Sequence, residues 1–143
     1  MGTEIERRLG LDIGDRRIGV AVSDPLGITA RPLEIITRSD DTADIEALLA
    51  VIMQYQVSRV VVGLPRTLQG EVGGQAQKVL DFVARLRAKM PVPVLLRDER
   101  LSTVAAQRFR REAGREKGRG DDDIAAAVIL QTYLDEISLN NSP

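Results

Sequence analysis

The sequence predicts an α/β domain: a mixed five-stranded sheet with helices on both faces. Three observations predict it. Residues 7–14 and 17–24 alternate in strand fashion across a turn at Asp15-Arg16, and a third strand-like run, Pro32–Thr37, follows closely, which makes an antiparallel meander. Helical and strand-like runs then alternate to the end of the chain, the pattern of parallel strands joined by crossover helices. The length, 143 residues, suits one domain with a sizeable core.

Each element has a local reason. In the first strand Leu9, Leu11 and Ile13 share one face, and Gly10, Asp12 and Gly14 share the other. In the second, Ile18, Val20 and Val22 oppose Gly19 and Ala21. Ser39–Asp44 is polar and reads as a turn into a helix over 42–55, with Ile45, Leu48, Leu49 and Ile52 at helical spacing. Arg59–Gly63 reads as a short buried strand, and Leu64–Gly74 as a loop broken by Pro65, Gly70, Gly73 and Gly74. A helix over 75–89 carries the stripe Ala76, Val79, Leu80, Val83 and Leu86. A strand over 92–97 and a helix over 102–112, capped by Ser102, come next. Arg115–Gly120 is a basic, glycine-containing loop, and 121–137 form the last helix, with a flexible tail expected over about 138–143. The whole chain, 1–143, reads as one domain without internal repeats.

Composition narrows the chemistry. Apolar residues make up 43% and charged residues 29%, as in a globular chain. No apolar run is long enough to span a bilayer and no signal-peptide pattern opens the chain. With no Cys there is no disulfide and no thiolate metal site, which fits a cytoplasmic protein. With no His, the usual acid/base residue near neutrality and the usual zinc ligand are both missing. Hydrolytic chemistry would then rest on carboxylates, Lys, Tyr, hydroxyls or an oxygen-liganded metal.

Three acidic positions stand out at the ends of apolar segments. Asp12 shares its strand face with two glycines, so a metal or phosphate can approach the backbone closely. Asp98-Glu99 follows a buried strand, and strand ends in open α/β sheets are where ligands sit. Glu99 is the favoured ligand of that pair, though periodicity leaves Asp98 open. Asp121, Asp122 and Asp123 open the last helix, where acids also serve as caps and favour the helix dipole. Gln131, Thr132, Asp135 and Glu136 define an expected solvent face that projects back to Asp121. The apolar stripe through Ala126, Leu130, Tyr133 and Leu134 projects back to Asp122 and Asp123. Clustered carboxylates call for a hard divalent cation, which takes oxygen ligands.

A rival reading concerns Asp12-x-Gly14-x-x-x-x-Gly19, which looks like the phosphate-binding hairpin of actin-like ATPases. Those need two lobes, and this chain is about one lobe long, at ~100–200 residues per domain.

Four stretches together resemble one family: Leu9–Asp24 (LGLDIGDRRIGVAVSD), Val61–Pro65 (VVGLP) with Gly70 and Gln75-Ala76, Asp98–Thr103 (DERLST) and Ala125–Leu134 (AAAVILQTYL). The chain resembles the YqgF/RuvX family of proposed Holliday-junction resolvases, which have an RNase H-like fold. The resemblance implies a metal-dependent nuclease that uses Mg²⁺ or Mn²⁺ to hydrolyse phosphodiesters. Carried over residue by residue, it puts the catalytic and metal-binding acids at Asp12, Glu99 and Asp122, with Asp123 as the alternative third ligand. The chain departs from the family in having Gly120-Asp121 before Asp122, and Arg66–Glu71 where a Met-Asp-Gly pattern is usual. The resemblance links the chain to two jobs, cutting branched DNA and maturing the 5′ end of precursor 16S rRNA in ribosome biogenesis, and a monomer or homodimer would serve. A non-catalytic nucleic-acid- or ribosome-binding module is the alternative, disfavoured by acids at all three sites.

The expected substrate contacts follow from charge. Residues 108–119 hold six basic residues (Arg108, Arg110, Arg111, Arg115, Lys117 and Arg119) against Glu112 and Glu116, a local net of +4. Such a cluster suits phosphate backbones. Arg16, Arg17 and Arg100, beside the acids, join Arg111, Arg115, Lys117 and Arg119 as candidate nucleic-acid contacts. Tyr55, Phe82, Phe109 and Tyr133 fall in helical runs and are expected in the core or on its flank rather than under stacked bases.

Overall fold

The computed structural model describes residues 6–65, 73–98 and 121–140, and for 121–123 and 139–140 the backbone alone. Strands β1 (Arg7–Ile13), β2 (Arg17–Ser23) and β3 (Ala30–Thr37) form the meander. They are followed by α1 (Asp41–Tyr55), β4 (Val57–Leu64), α2 (Gly74–Lys89), β5 (Val94–Asp98) and α3 (Asp121–Asn140). The sheet order is β3-β2-β1-β4-β5, with β1 antiparallel to β2 and parallel to β4, and β4 parallel to β5. The mixed five-stranded sheet expected from the sequence is the one found.

Alternation along the strands sorts two cores. Leu9, Leu11, Ile13, Ile18, Val20, Val22, Val60 and Val62 pack with Leu48 and Ile52 of α1 and Val79, Val83 and Leu86 of α2. The opposite faces contribute Ala21 and Val61 to a second cluster under α3, with Ala126, Ala127, Leu130, Tyr133 and Leu134. On that side the strands carry small residues. A Cβ added to Gly10 would stand 2.7 Å from Leu130 Cβ and 2.8 Å from the Ala126 carbonyl oxygen, so only glycine lets the helix lie this close.

Several boundaries differ from the sequence expectations, for physical reasons. β3 starts at Ala30 rather than Pro32; it is an edge strand with a register shift opposite Val20/Ala21, where a proline lacking an N–H is tolerated. β4 extends to Val57 and Leu64 on either side of the expected core. β5 starts at Val94 because Pro93 cannot donate to the ladder; its carbonyl instead accepts from Val60 N–H at 2.9 Å. α1 starts at Asp41, capped by Asp40, whose side chain accepts from Ala43 N–H at 2.9 Å. α3 runs on to Asn140, past its expected end at 137, and 141–143 lie outside the described residues. Gln131 is not on a solvent face. It is 5% exposed, its Oε1 accepting from Ala30 N–H at 2.9 Å and its Nε2 donating to the Ile28 carbonyl at 3.1 Å. Phe82 and Tyr133 are buried as expected, and Tyr55 packs against the first core. The helix expected over 102–112, Phe109 and the loop at 115–120 lie outside the described residues.

Candidate active site

β1 and β2 are joined by a tight turn over Gly14–Arg17. Gly14 N–H donates to the Arg17 carbonyl at 2.8 Å, and Asp12 lies opposite Gly19 in the ladder. A groove of about 400 Å³ opens here, lined by Asp12, Gly14, Asp15, Arg16, Arg17 and Gly19. Its residues explain its shape: two glycines add no side chain, so the half-buried carboxylate of Asp12 faces open volume. Arg16 and Arg17 stand exposed at its rim and put two positive charges there. Lys78 of α2 pairs with Asp15 at 3.2 Å, tying α2 to the turn.

The strand registers bring the second acidic segment to the same end of the sheet. Leu11 aligns with Val62, Val62 with Leu96, and Leu64 with Asp98. Asp98, the exposed last residue of β5, therefore sits level with the end of β1, about two strand spacings away, or roughly 10 Å. Glu99 is the next residue along the chain and lies outside the described residues, as do Arg100, Arg111, Arg115, Lys117 and Arg119.

The third segment opens α3. Its later part is fixed at the far end of the sheet, where Gln131 holds Ala30 and the Tyr133 hydroxyl accepts from Arg59 at 2.7 Å. Running backwards, the helix crosses β1 at Gly10 and reaches Asp122 and Asp123 one turn before Ala126. The backbone thus leads from the far end toward the end that holds Asp12. Of the proposed acids, Asp12 is the one whose side chain is described, and among the described residues no group of three or more potential ligands is gathered.

Two supports of the sheet ends were not apparent from the sequence. Arg38, just past β3, donates from Nη1 to the Gly14 carbonyl at 3.0 Å and from Nε to Asp44 at 3.1 Å. At the opposite end Asp24 closes the β2–β3 turn, accepting from Ile28 N–H at 2.6 Å and Thr29 N–H at 2.9 Å, with Gly27 at φ 73°. Burial pushes the Asp24 carboxyl up, but the backbone N–H donors of Thr29, Ile28 and Leu26 outweigh it and hold its pKa below the ordinary carboxylate value.

Comparison with known proteins fits this geometry. The fold is that of a Holliday-junction resolvase of RNase H type. A structure of Thermus thermophilus RuvC in complex with a Holliday junction substrate superposes with a TM-score of 0.69 at 18% identity, covering 96% of this chain and 98% of that one. The fowlpox virus resolvase bound to Holliday junction DNA gives a TM-score of 0.57 at 14% identity, over 92% and 98%. At these identities the likeness is one of fold. The family follows from sequence: residues 6–136 match RuvX, Holliday junction resolvase, and the chain belongs to that family of nucleases. A Desulforamulus reducens protein named "Putative pre-16S rRNA nuclease" is 47% identical over 90% of this chain and 96% of its own length. One of the same name from Clostridium novyi is 44% identical over 92% and 99%. Among the described residues no helix is long and apolar enough to cross a membrane.

Proposed function

We propose that this nuclease hydrolyses phosphodiesters in structured nucleic acid with a divalent cation, Mg²⁺ or Mn²⁺, held by Asp12, Glu99 and Asp122. The observation that carries the reading is Asp12: a half-buried carboxylate over a glycine-floored groove, at the sheet end where β5 also closes with Asp98. The donor chemistry fits, because a chain without His or Cys offers oxygen ligands, which hard cations take. When bound, such an ion lowers the pKa of water and neutralises charge on the scissile phosphate. The protein's own part is to orient the acids on rigid strand and helix ends and to draw the backbone in through Arg16 and Arg17. Arg100, Arg111, Arg115, Lys117 and Arg119 would extend that positive track. Asp123 remains the alternative third ligand, one position along the same helix.

Branched DNA is the substrate suggested by the family, and precursor 16S rRNA the one suggested by the relatives' names. Phosphate contacts position but do not read sequence, so recognition by backbone and shape suits both. The deciding experiment offers labelled four-way junction DNA, single-stranded DNA and precursor rRNA with Mg²⁺, Mn²⁺ or chelator. Cleavage of a structured substrate that chelator stops is the expected result. Binding without cleavage under every cation would support the alternative of a non-catalytic nucleic-acid-binding module.

A further inference from the structure

We propose that Arg38 is a positioning residue for the Asp12 turn. This rests on the reading of Asp12 as an active-site acid. Gly14 directly follows the strand that carries Asp12, and both of its backbone groups are used: its N–H donates to the Arg17 carbonyl at 2.8 Å and its carbonyl accepts from Arg38 Nη1 at 3.0 Å. Arg38 holds the turn a second time, its own N–H donating to the Arg16 carbonyl at 2.9 Å. One residue thus grips the turn at both ends.

The guanidinium is itself fixed from three sides. Its Nε donates to Asp44 Oδ2 at 3.1 Å and its Nη2 to Asp41 Oδ1 at 2.9 Å, both on α1. The Phe82 ring of α2 lies 4.8 Å from its Cζ, a cation–π contact. Asp44 is 2% exposed, and its other oxygen accepts from Ser39 N–H at 3.1 Å. A carboxylate that deep needs its partners, so the arrangement is stiff. α1, α2 and the active-site turn, on separate stretches of chain, converge on one planar group. Only a fork of fixed geometry serves all of these acceptors at once. A lysine has one nitrogen and must choose among them.

Arg38→Lys keeps the charge beside Asp44 and gives up the fork. The expected protein folds cooperatively and binds four-way junction DNA in Ca²⁺ within about three-fold of wild type. Its kcat in Mg²⁺ falls about 10- to 100-fold, the scale of a misplacement near 1 Å. Hydrogen exchange gives a readout free of catalysis: the Gly14 amide should exchange at least ~10-fold faster, with the Leu130 amide unchanged. Asp41→Asn, on the half-buried rim, leaves Asp44 paired and should show the same two changes in smaller degree; it carries the test if the lysine variant fails to fold. Wild-type exchange at Gly14 overturns the proposal, and so does unchanged kcat in an enzyme that Asp12→Asn inactivates. If Asp12→Asn cleaves like wild type, the nuclease assignment to that acid fails instead, while the exchange measurement still decides whether Arg38 holds the turn.

Discussion

On one face of the sheet, α1 and α2 meet large side chains: Leu9, Leu11, Ile18, Val20, Val60 and Val62. On the other, α3 meets Gly10, Ala21 and Val61 and lies almost on the backbone of β1. The first face holds the molecule together by filled volume. The second is stripped of side chains, and that is where a half-buried acid has open space beside it. Strand alternation makes the difference possible, since neighbouring residues of β1 serve opposite faces. One strand thus supplies packing residues to one face and the proposed catalytic acid to the other.

The comparison breaks most sharply at the start of α3. Asp122→Asn should cost at least ~100-fold in cation-dependent cleavage with little change in stability, whereas Asp121→Asn should be mild. If Asp123→Asn is the inactivating change and Asp122→Asn is silent, the third ligand is one residue along.

Adding and removing bulk should then have opposite signatures on the two faces. Leu48→Ala, in the α1 core, should lose about 2–5 kcal/mol of stability and keep kcat per folded molecule. Gly10→Ala adds a methyl where Leu130 and Ala126 already stand and should lose about 1–3 kcal/mol. It should also lower kcat, because α3 must shift and carries Asp122 with it. Denaturant melts with activity assays on the same samples check both; equal kcat in the two variants would erase the distinction.

Smaller effects sharpen the picture. Replacing Arg115, Lys117 and Arg119 by Ala should weaken binding to all duplex and junction substrates alike. The slope of log affinity against log salt should flatten by up to ~0.9 per lost contact. An unchanged slope would move the binding surface elsewhere. Asp24 is the mildest case. Its folded pKa is lowered, so its stabilising effect is present above the unfolded pKa and lost as pH falls through the folded one. The stability gap between wild type and Asp24→Ala should be full at pH 7 and shrink below about pH 4. A gap independent of pH would remove the carboxylate from the account.

How much of this the sequence discloses depends on the range of the interaction. The meander, both parallel strands and the glycine-flanked Asp12 are readable because alternation and turn residues act locally. Gln131 is misread as a surface residue because an amide carries no sign of its partner, here Ala30, 101 positions away in the chain. Arg38 passes unnoticed for the same reason: a lone arginine in a polar turn looks solvated until Asp44, Gly14 and Phe82 are folded around it. The boundaries of β3 and β5 shift because proline is judged by its missing donor, and which donors are needed depends on the neighbouring strand.

The central claim is that the stripped face of β1 carries the chemistry through Asp12. Its most direct test is Asp12→Asn, which keeps size and loses the charge that would bind a cation. Cleavage of four-way junction DNA or precursor rRNA, whichever the wild type cuts, would be timed in Mg²⁺ beside a melting curve. The account predicts a folded protein that binds substrate and has lost essentially all cleavage. Near-normal turnover by a well-folded, contamination-free Asp12→Asn protein would contradict it.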